Sequence, residues 1–308
     1  MVDVAEVAEN IYNIDDQLYS IPGFGSVYFL VEDKKALIDT GPTTSSQVVI
    51  DGIKQLGCSP EEIDYLIITH IHLDHGGGAG TLLTSMPRAQ VVVHHRAVRH
   101  VINPTILIRS VIEAQGEISM TRNGEVLPID ETRVISANDG ETISLGDGQI
   151  LTLLETPGHA PHELCIHESR NNGLFVGDAV ANYMAGTDIS VPVTPPPSFD
   201  LEQNIGSLER LLELKASRLY FAHFGAGDEA EKLINLAINE LRTRNEIIAK
   251  AAADGNIEGA YDMVVDHICG LLEPVKDDIR TLYDYWLEVE IPMSAREHVR
   301  YYRKKYEV

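Results

Sequence analysis

Three cysteines and one tryptophan in 308 residues, with aromatics at 6%, leave this chain poor in the side chains that staple small secreted folds. Cys58, Cys165 and Cys269 make no CxxC pair, which argues against a disulfide framework and for a reducing, cytoplasmic setting. Positive charge is equally scarce: 24 Lys plus Arg face 47 Asp plus Glu, a formal charge of −23. Such a field repels polyanions, so DNA or RNA is not the expected partner, although bound cations would offset the charge locally. No stretch approaches the ~18 uninterrupted apolar residues of a membrane span. The opening Met1-Val2-Asp3-Val4-Ala5-Glu6 has no basic or apolar leader. The expected partner is therefore a small molecule, not a membrane or a nucleic acid.

What is present is a chain 44% hydrophobic, enough for one large domain plus a small appendage. Its densest chemistry is Thr69-His70-Ile71-His72-Leu73-Asp74-His75, followed by three glycines and preceded by the apolar run Ile63 to Ile68. That run reads as a short buried strand, which places the cluster on a loop at a strand end. Neutral imidazole and carboxylate are ligands that zinc accepts and that iron or manganese tolerates. Desolvating three histidines and an aspartate within six residues is costly without a cation. His70 and His72, two apart on extended backbone, point the same way toward one ion. Asp74 and His75 point elsewhere and can serve a second.

Along the chain, residues 4–14, 26–31, 36–38, 63–68 and 90–94 read as strands, with a helix over 44–56. Residues 97–128 read as an insertion of one or two helices able to overhang the site. Strand-like pieces follow at 132–136, 142–145, 149–154, 164–167 and 173–176, and a last one at 218–221. The four prolines of 192–197 read as a stiff surface connection. Asp200 can cap a helix to about residue 214. From 228 the pattern is helical only, at 228–253, 260–272, 275–287 and 294–302. The expected division is a domain over 1–227 and a helical module over 228–308, the latter offering a lid or a homodimer contact.

Four further strands end in, or lead directly to, Asp39, His159, Asp178 and His223. Leu37-Ile38-Asp39-Thr40-Gly41, the cluster from His70 to His75, Thr156-Pro157-Gly158-His159, Val176-Gly177-Asp178 and Ala222-His223 together closely resemble the metallo-β-lactamase superfamily, in that family's order. The resemblance implies an α+β fold, a four-layer αβ/βα sandwich. It implies that His70, His72 and His159 hold one metal ion and that Asp74, His75 and His223 hold another. Asp178 would bridge the two, and Asp39 would orient ligands from behind. It further implies two divalent ions, zinc first and iron or manganese as alternatives. Their activated water would attack a small ester, thioester or lactone, with Asp74 and Asp178 as catalytic residues.

Departures narrow the branch toward glyoxalase II-like and lactonase-like enzymes. His72 stands where flavodiiron proteins carry Glu, and His75 where some lactamases carry Arg. The alternatives are a mononuclear iron persulfide dioxygenase, a tRNA-processing type of nuclease and a non-catalytic scaffold. Tyr183 is a weak candidate for substrate contact, since a tyrosine in lactonases of this superfamily reaches the oxyanion; ordinary packing is its plainer role. His94, His95 and His100 read as loop or surface residues, His162 as a strand-start residue near the metals, and His267 and His298 as chemically silent. The basic run Arg300 to Lys305 reads as a solvated terminus, with mimicry of a glutathione-binding cluster as the alternative.

Overall fold

The computed structural model describes residues 1–184 and 187–308. Seven strands form a first sheet in sequence order: β1 (Val4–Ala8), β2 (Ile11–Asp15), β3 (Ser26–Val31), β4 (Lys35–Ile38), β5 (Ile63–Ile67), β6 (Gln90–His94) and β7 (Val134–Ala137). The second sheet contains β8 (Thr142–Gly146), β9 (Gln149–Glu155), β10 (Leu164–Glu168) and β11 (Gly173–Phe175). After a short pair, β12 (Asn182–Tyr183) and β13 (Ser190–Val191), it is completed by β14 (Arg218–Phe221) and β15 (Gly225–Asp228).

Continuous apolar runs build this sandwich because both faces of the central strands are covered. Along β3, Tyr28 and Leu30 turn toward the other sheet while Val27 and Phe29 turn toward helices. The same alternation sends Ile67 and Val92 inward and Leu66, Val91 and Val93 outward. Between the sheets, Tyr28 meets Phe175 and Tyr220 at ring separations of 5.2 and 5.5 Å. Helices α1 (Ser46–Gln55), α2 (Leu73–Gly76) and α3 (Ala79–Leu82) follow in the first half, with Val49, Ile53 and Leu82 in the outer core of the first sheet. The resulting four-layer α+β sandwich is the architecture expected.

Several elements differ from the expected ones. The stretch 4–14 is two strands, because Asn10 adopts φ 61° and turns the chain back on itself. The insertion contains three helices: α4 (Val98–Ile102), α5 (Thr105–Gln115) and α6 (Ile118–Asn123). Gly116, at φ 81°, is the break that separates α5 from α6. The proline stretch is a surface connection only in its second half: Pro192 to Pro195 are buried, and Pro197 is exposed. Asp200 caps α7 (Leu201–Leu212) by accepting from the Gln203 amide, as expected.

The C-terminal helices are α8 (Ala230–Ala253), α9 (Ala260–Leu272), α10 (Arg280–Tyr285) and α11 (Ile291–Tyr306). A π-helical turn over Trp286–Glu290 links α10 to α11, so the helix expected at 275–287 starts later and runs on into the next one. These helices share a hydrophobic cluster with the loop after β2: Leu18, Ile21 and Phe24 pack with Ile268, Trp286 and Ile291. The basic tail is paired on the protein's own surface, Lys305 with Glu202 at 2.9 Å and Arg303 with Glu258.

Candidate metal centre

Strand ends supply the chemistry. Asp39 follows β4, the run 68–75 follows β5, His159 lies beyond β9, Asp178 beyond β11 and His223 beyond β14. Glycine is required at Gly158, which has φ 145° and whose added Cβ would collide with the backbone of Asn204. The two sheets are stitched together here: the Ser26 amide donates to the Ala222 carbonyl at 2.8 Å, and Phe224 to Phe24 at 3.1 Å. His223 is thereby carried to the first sheet's ligands. Asp74 and His75 lie in the single turn α2, not on a loop as expected.

The structure brings all seven singled-out residues together. His70 Nε2 lies 2.9 Å from His72 Nδ1, and His159 Nε2 lies 3.1 Å from the same atom. Asp74, His75 and His223 form an adjoining set whose ligand atoms all lie within 4.8 Å of one another. Asp178 sits between: Oδ2 is 3.5 Å from both His159 Nε2 and His75 Nε2, and Oδ1 is 3.4 Å from His223 Nε2.

Backing groups fix the tautomers. Asp39, strained at φ 60°, accepts from the Thr69 amide at 2.8 Å and hydroxyl at 2.9 Å, and receives His75 Nδ1 at 3.0 Å. His159 Nδ1 donates to the Val193 carbonyl at 3.0 Å, which gives the buried first half of the proline stretch a role in the site. Glu163, wholly buried, accepts from the Asp178 amide at 3.1 Å and stands 3.5 Å from His70 Nδ1. Hydrogen bonds of this kind leave the other ring nitrogen aimed inward with its lone pair free.

Electrostatics favours a cation. Burial, then the neighbouring imidazoles, pushes His70 far down; burial takes His72 to about 3 and His159 to about 4. These rings are neutral, the form that ligates. Burial opposes the charge on Asp178, but His75, His223 and His159 outweigh it and hold that carboxyl well below its usual range. Three mutually facing imidazole nitrogens cannot all be satisfied by one another's protons. Buried His75 Nε2 and Asp178 Oδ1 have no hydrogen-bond partner among the described residues. A divalent ion fits this donor chemistry.

A cavity of about 280 Å³ lies against His72, Asp74, His159 and Asp178. Its far walls are Leu107 and Val111 of the insertion, Pro195 of the proline stretch, and Val289 and Met293 of the last helices. No Lys or Arg lines it among the described residues. Tyr183 is not in that lining; its ring is buried and stacks on Phe221 at 5.0 Å. Tyr19, Tyr285 and Glu290 line the cavity instead, and sequence reasoning missed all three.

His100 and His162 line the cavity too. His94, expected on the surface, is buried: Nδ1 accepts from the Arg96 amide at 3.0 Å and Nε2 faces Glu155 at 3.4 Å. It ends β6 in a hydrophobic register that reaches one residue further than the apolar run suggests. His267 pairs with Glu240 at 2.9 Å, away from this centre.

The sequence pattern described as the metallo-beta-lactamase superfamily matches residues 20–223. The chain belongs to that superfamily. Among its relatives is the metallo-beta-lactamase fold-containing protein ST1585 of Sulfurisphaera tokodaii, 28% identical over 230 residues, 73% of this chain and 82% of that protein. The crystal structure of ST1585 superposes with a TM-score of 0.63, covering 75% of this chain and 86% of that one. An N-acyl homoserine lactonase of Bacillus cereus is 27% identical over 191 residues, 61% of this chain and 66% of the lactonase. The superfamily protein TTHA1429 of Thermus thermophilus shares the fold over 97% of this chain and 95% of its own, with a TM-score of 0.67 at 18% identity. This chain is thus an enzyme of the superfamily's hydrolase type, and its C-terminal helices have a counterpart in a relative's fold.

Proposed function

We propose that this protein hydrolyses a small ester, thioester or lactone with an apolar acyl part, using two divalent ions, zinc in the first instance. His70, His72 and His159 would hold one, Asp74, His75 and His223 the other, with Asp178 shared. When bound, such ions supply Lewis acidity toward a carbonyl oxygen and lower the pKa of water to about 7. The observation that carries this reading is the pair of adjoining buried donor sets, both against one cavity. The apolar wall from Leu107 to Met293 takes the acyl part and keeps bulk water off the reacting carbonyl. Asp74, whose side chain is 22% exposed, is placed to take up and pass on a proton. The absence of Lys and Arg from the described lining disfavours a substrate recognised through a phosphate or carboxylate. It also weighs against glutathione adducts and RNA.

The lactonase relative supports this substrate class. Completeness of the second donor set weighs against a one-iron dioxygenase. Three free cysteines fit a reducing compartment, and no helix among the described residues is long and apolar enough to cross a membrane. The test is metal analysis of protein purified without added metal, followed by esters, thioesters, lactones and phosphodiesters. Two ions per chain with turnover of a neutral acyl substrate is the expected result. One iron per chain with persulfide-dependent oxygen uptake would overturn it.

A further inference from the structure

Among the described residues, Glu290 is the one acidic side chain lining the cavity that belongs to neither donor set. It closes the π-helical turn Trp286–Glu290, a conformation that is rare and recurs at functional sites because it re-aims one side chain. Trp286, 1% exposed, anchors the start of that turn. At its end, Glu290 Oε2 accepts a hydrogen bond of 3.0 Å from Asn182 Nδ2. Asn182 is fully buried, four residues beyond Asp178. Glu290 Oε1 accepts no hydrogen bond among the described residues, so one carboxyl oxygen is committed to the protein and the other is open. Nearby on the same lining is Tyr19, held at φ 54°, a strained conformation of the kind found at binding sites.

Apart from the donor-set carboxylates, everything else on these walls is apolar, amide, hydroxyl or imidazole; there is no fixed cation for Glu290 to pair with among the described residues. Burial, and then the charges of Asp178 and Asp74, push its carboxyl well above its usual range. Ions held by those two carboxylates would remove the second contribution. A donor brought by the substrate offsets the first, since a buried acceptor is costly only while unpaired.

We propose that Glu290 is a specificity-determining residue, its Oε1 accepting a hydrogen bond from an N–H group, amide or ammonium, that the substrate carries near the scissile carbonyl. The proposal deepens the hydrolase reading and rests on it for the words "scissile carbonyl". Its test does not require turnover. Zinc-loaded protein is titrated calorimetrically with three short alkyl hydroxamates of equal length, ending in an ammonium, an acetamido or a methyl group. Hydroxamates ligate divalent metal whether or not the protein cleaves any ester, so the hydrolytic reading can fail while this measurement still reports.

The wild type is expected to bind the two N–H probes about tenfold more tightly than the methyl probe, the scale of one net hydrogen bond. In Glu290→Gln, Asn182 holds the new amide oxygen and turns its NH2 toward the ligand, so the ammonium probe, which can only donate, should bind within about twofold of the methyl probe. Glu290→Met, which can neither donate nor accept such a bond, should level all three probes. Unchanged zinc content and thermal midpoint in these variants exclude a purely structural effect. Equal binding of all three probes by the wild type, or a preference that survives both substitutions, overturns the proposal. A preference shared by both N–H probes identifies an amide, and one confined to the ammonium identifies a cationic substrate.

Discussion

His298 sits in α11 with both ring nitrogens buried and unpartnered among the described residues, its ring 5.4 Å from that of Phe199. Burial, and then Arg244, lowers its pKa to about 3. An unfolded imidazole binds its proton near 6.5, so between those values the unfolded chain holds the extra proton. Stability from this residue is therefore lost as pH falls from about 6.5 toward 3. In urea titrations His298→Leu should gain on the wild type by about 2 kcal/mol between pH 7 and pH 5. An unchanged difference at the two pH values would refute this. Asp39 makes the opposite kind of contribution, since it holds Thr69 and His75. Asp39→Ala should keep the fold and lose about 10–100-fold in zinc affinity, read by chelator competition. At this scale the donor residues were legible because histidine and aspartate clustered at strand ends have few other uses. Glu163 and Glu290 were not: a lone acid in an apolar segment looks like an exposed one until the fold surrounds it.

Elements were legible where burial on two faces forced a continuous apolar run, as at β4, β5 and β6. They were misread where one residue decides. Asn10 splits a strand by adopting φ 61°, and Gly116 splits a helix at φ 81°. Proline composition says stiff, and it cannot say buried; only the docking of Val193 against His159 does that. Helix α5 shows what an insertion supplies, since Leu107, Val111 and Ala114 form a cavity wall while none of its residues is buried. If that wall receives the acyl part, Val111→Trp should raise KM for long acyl substrates by about tenfold and leave kcat on the shortest nearly unchanged. A uniform loss of kcat across chain lengths would place the acyl part elsewhere.

On the scale of the whole molecule, the donor sets tie together pieces from residue 70 to residue 223, drawn from both sheets. Each ion bound there stabilises only the folded chain, by about 4 kcal/mol at a thousandfold excess over its Kd, so two contribute about 8 kcal/mol. At roughly 2 °C per kcal/mol for a chain of this size, chelation of both should lower the thermal midpoint by about 16 °C. Zinc should restore it, and magnesium, which prefers all-oxygen sites, should not. A midpoint indifferent to chelator would mean that the centre is not occupied in solution.

The sole indole of the chain has a use of its own. Trp286 is buried at the head of the turn that ends in Glu290, and its ring meets that of Phe224, the neighbour of His223, at 5.7 Å. Ultraviolet emission from this protein, excited on the indole band, therefore originates at one place, within a few side chains of the reactive pocket. Ligand arrival and metal loading can be followed optically in the native chain, without attaching a dye.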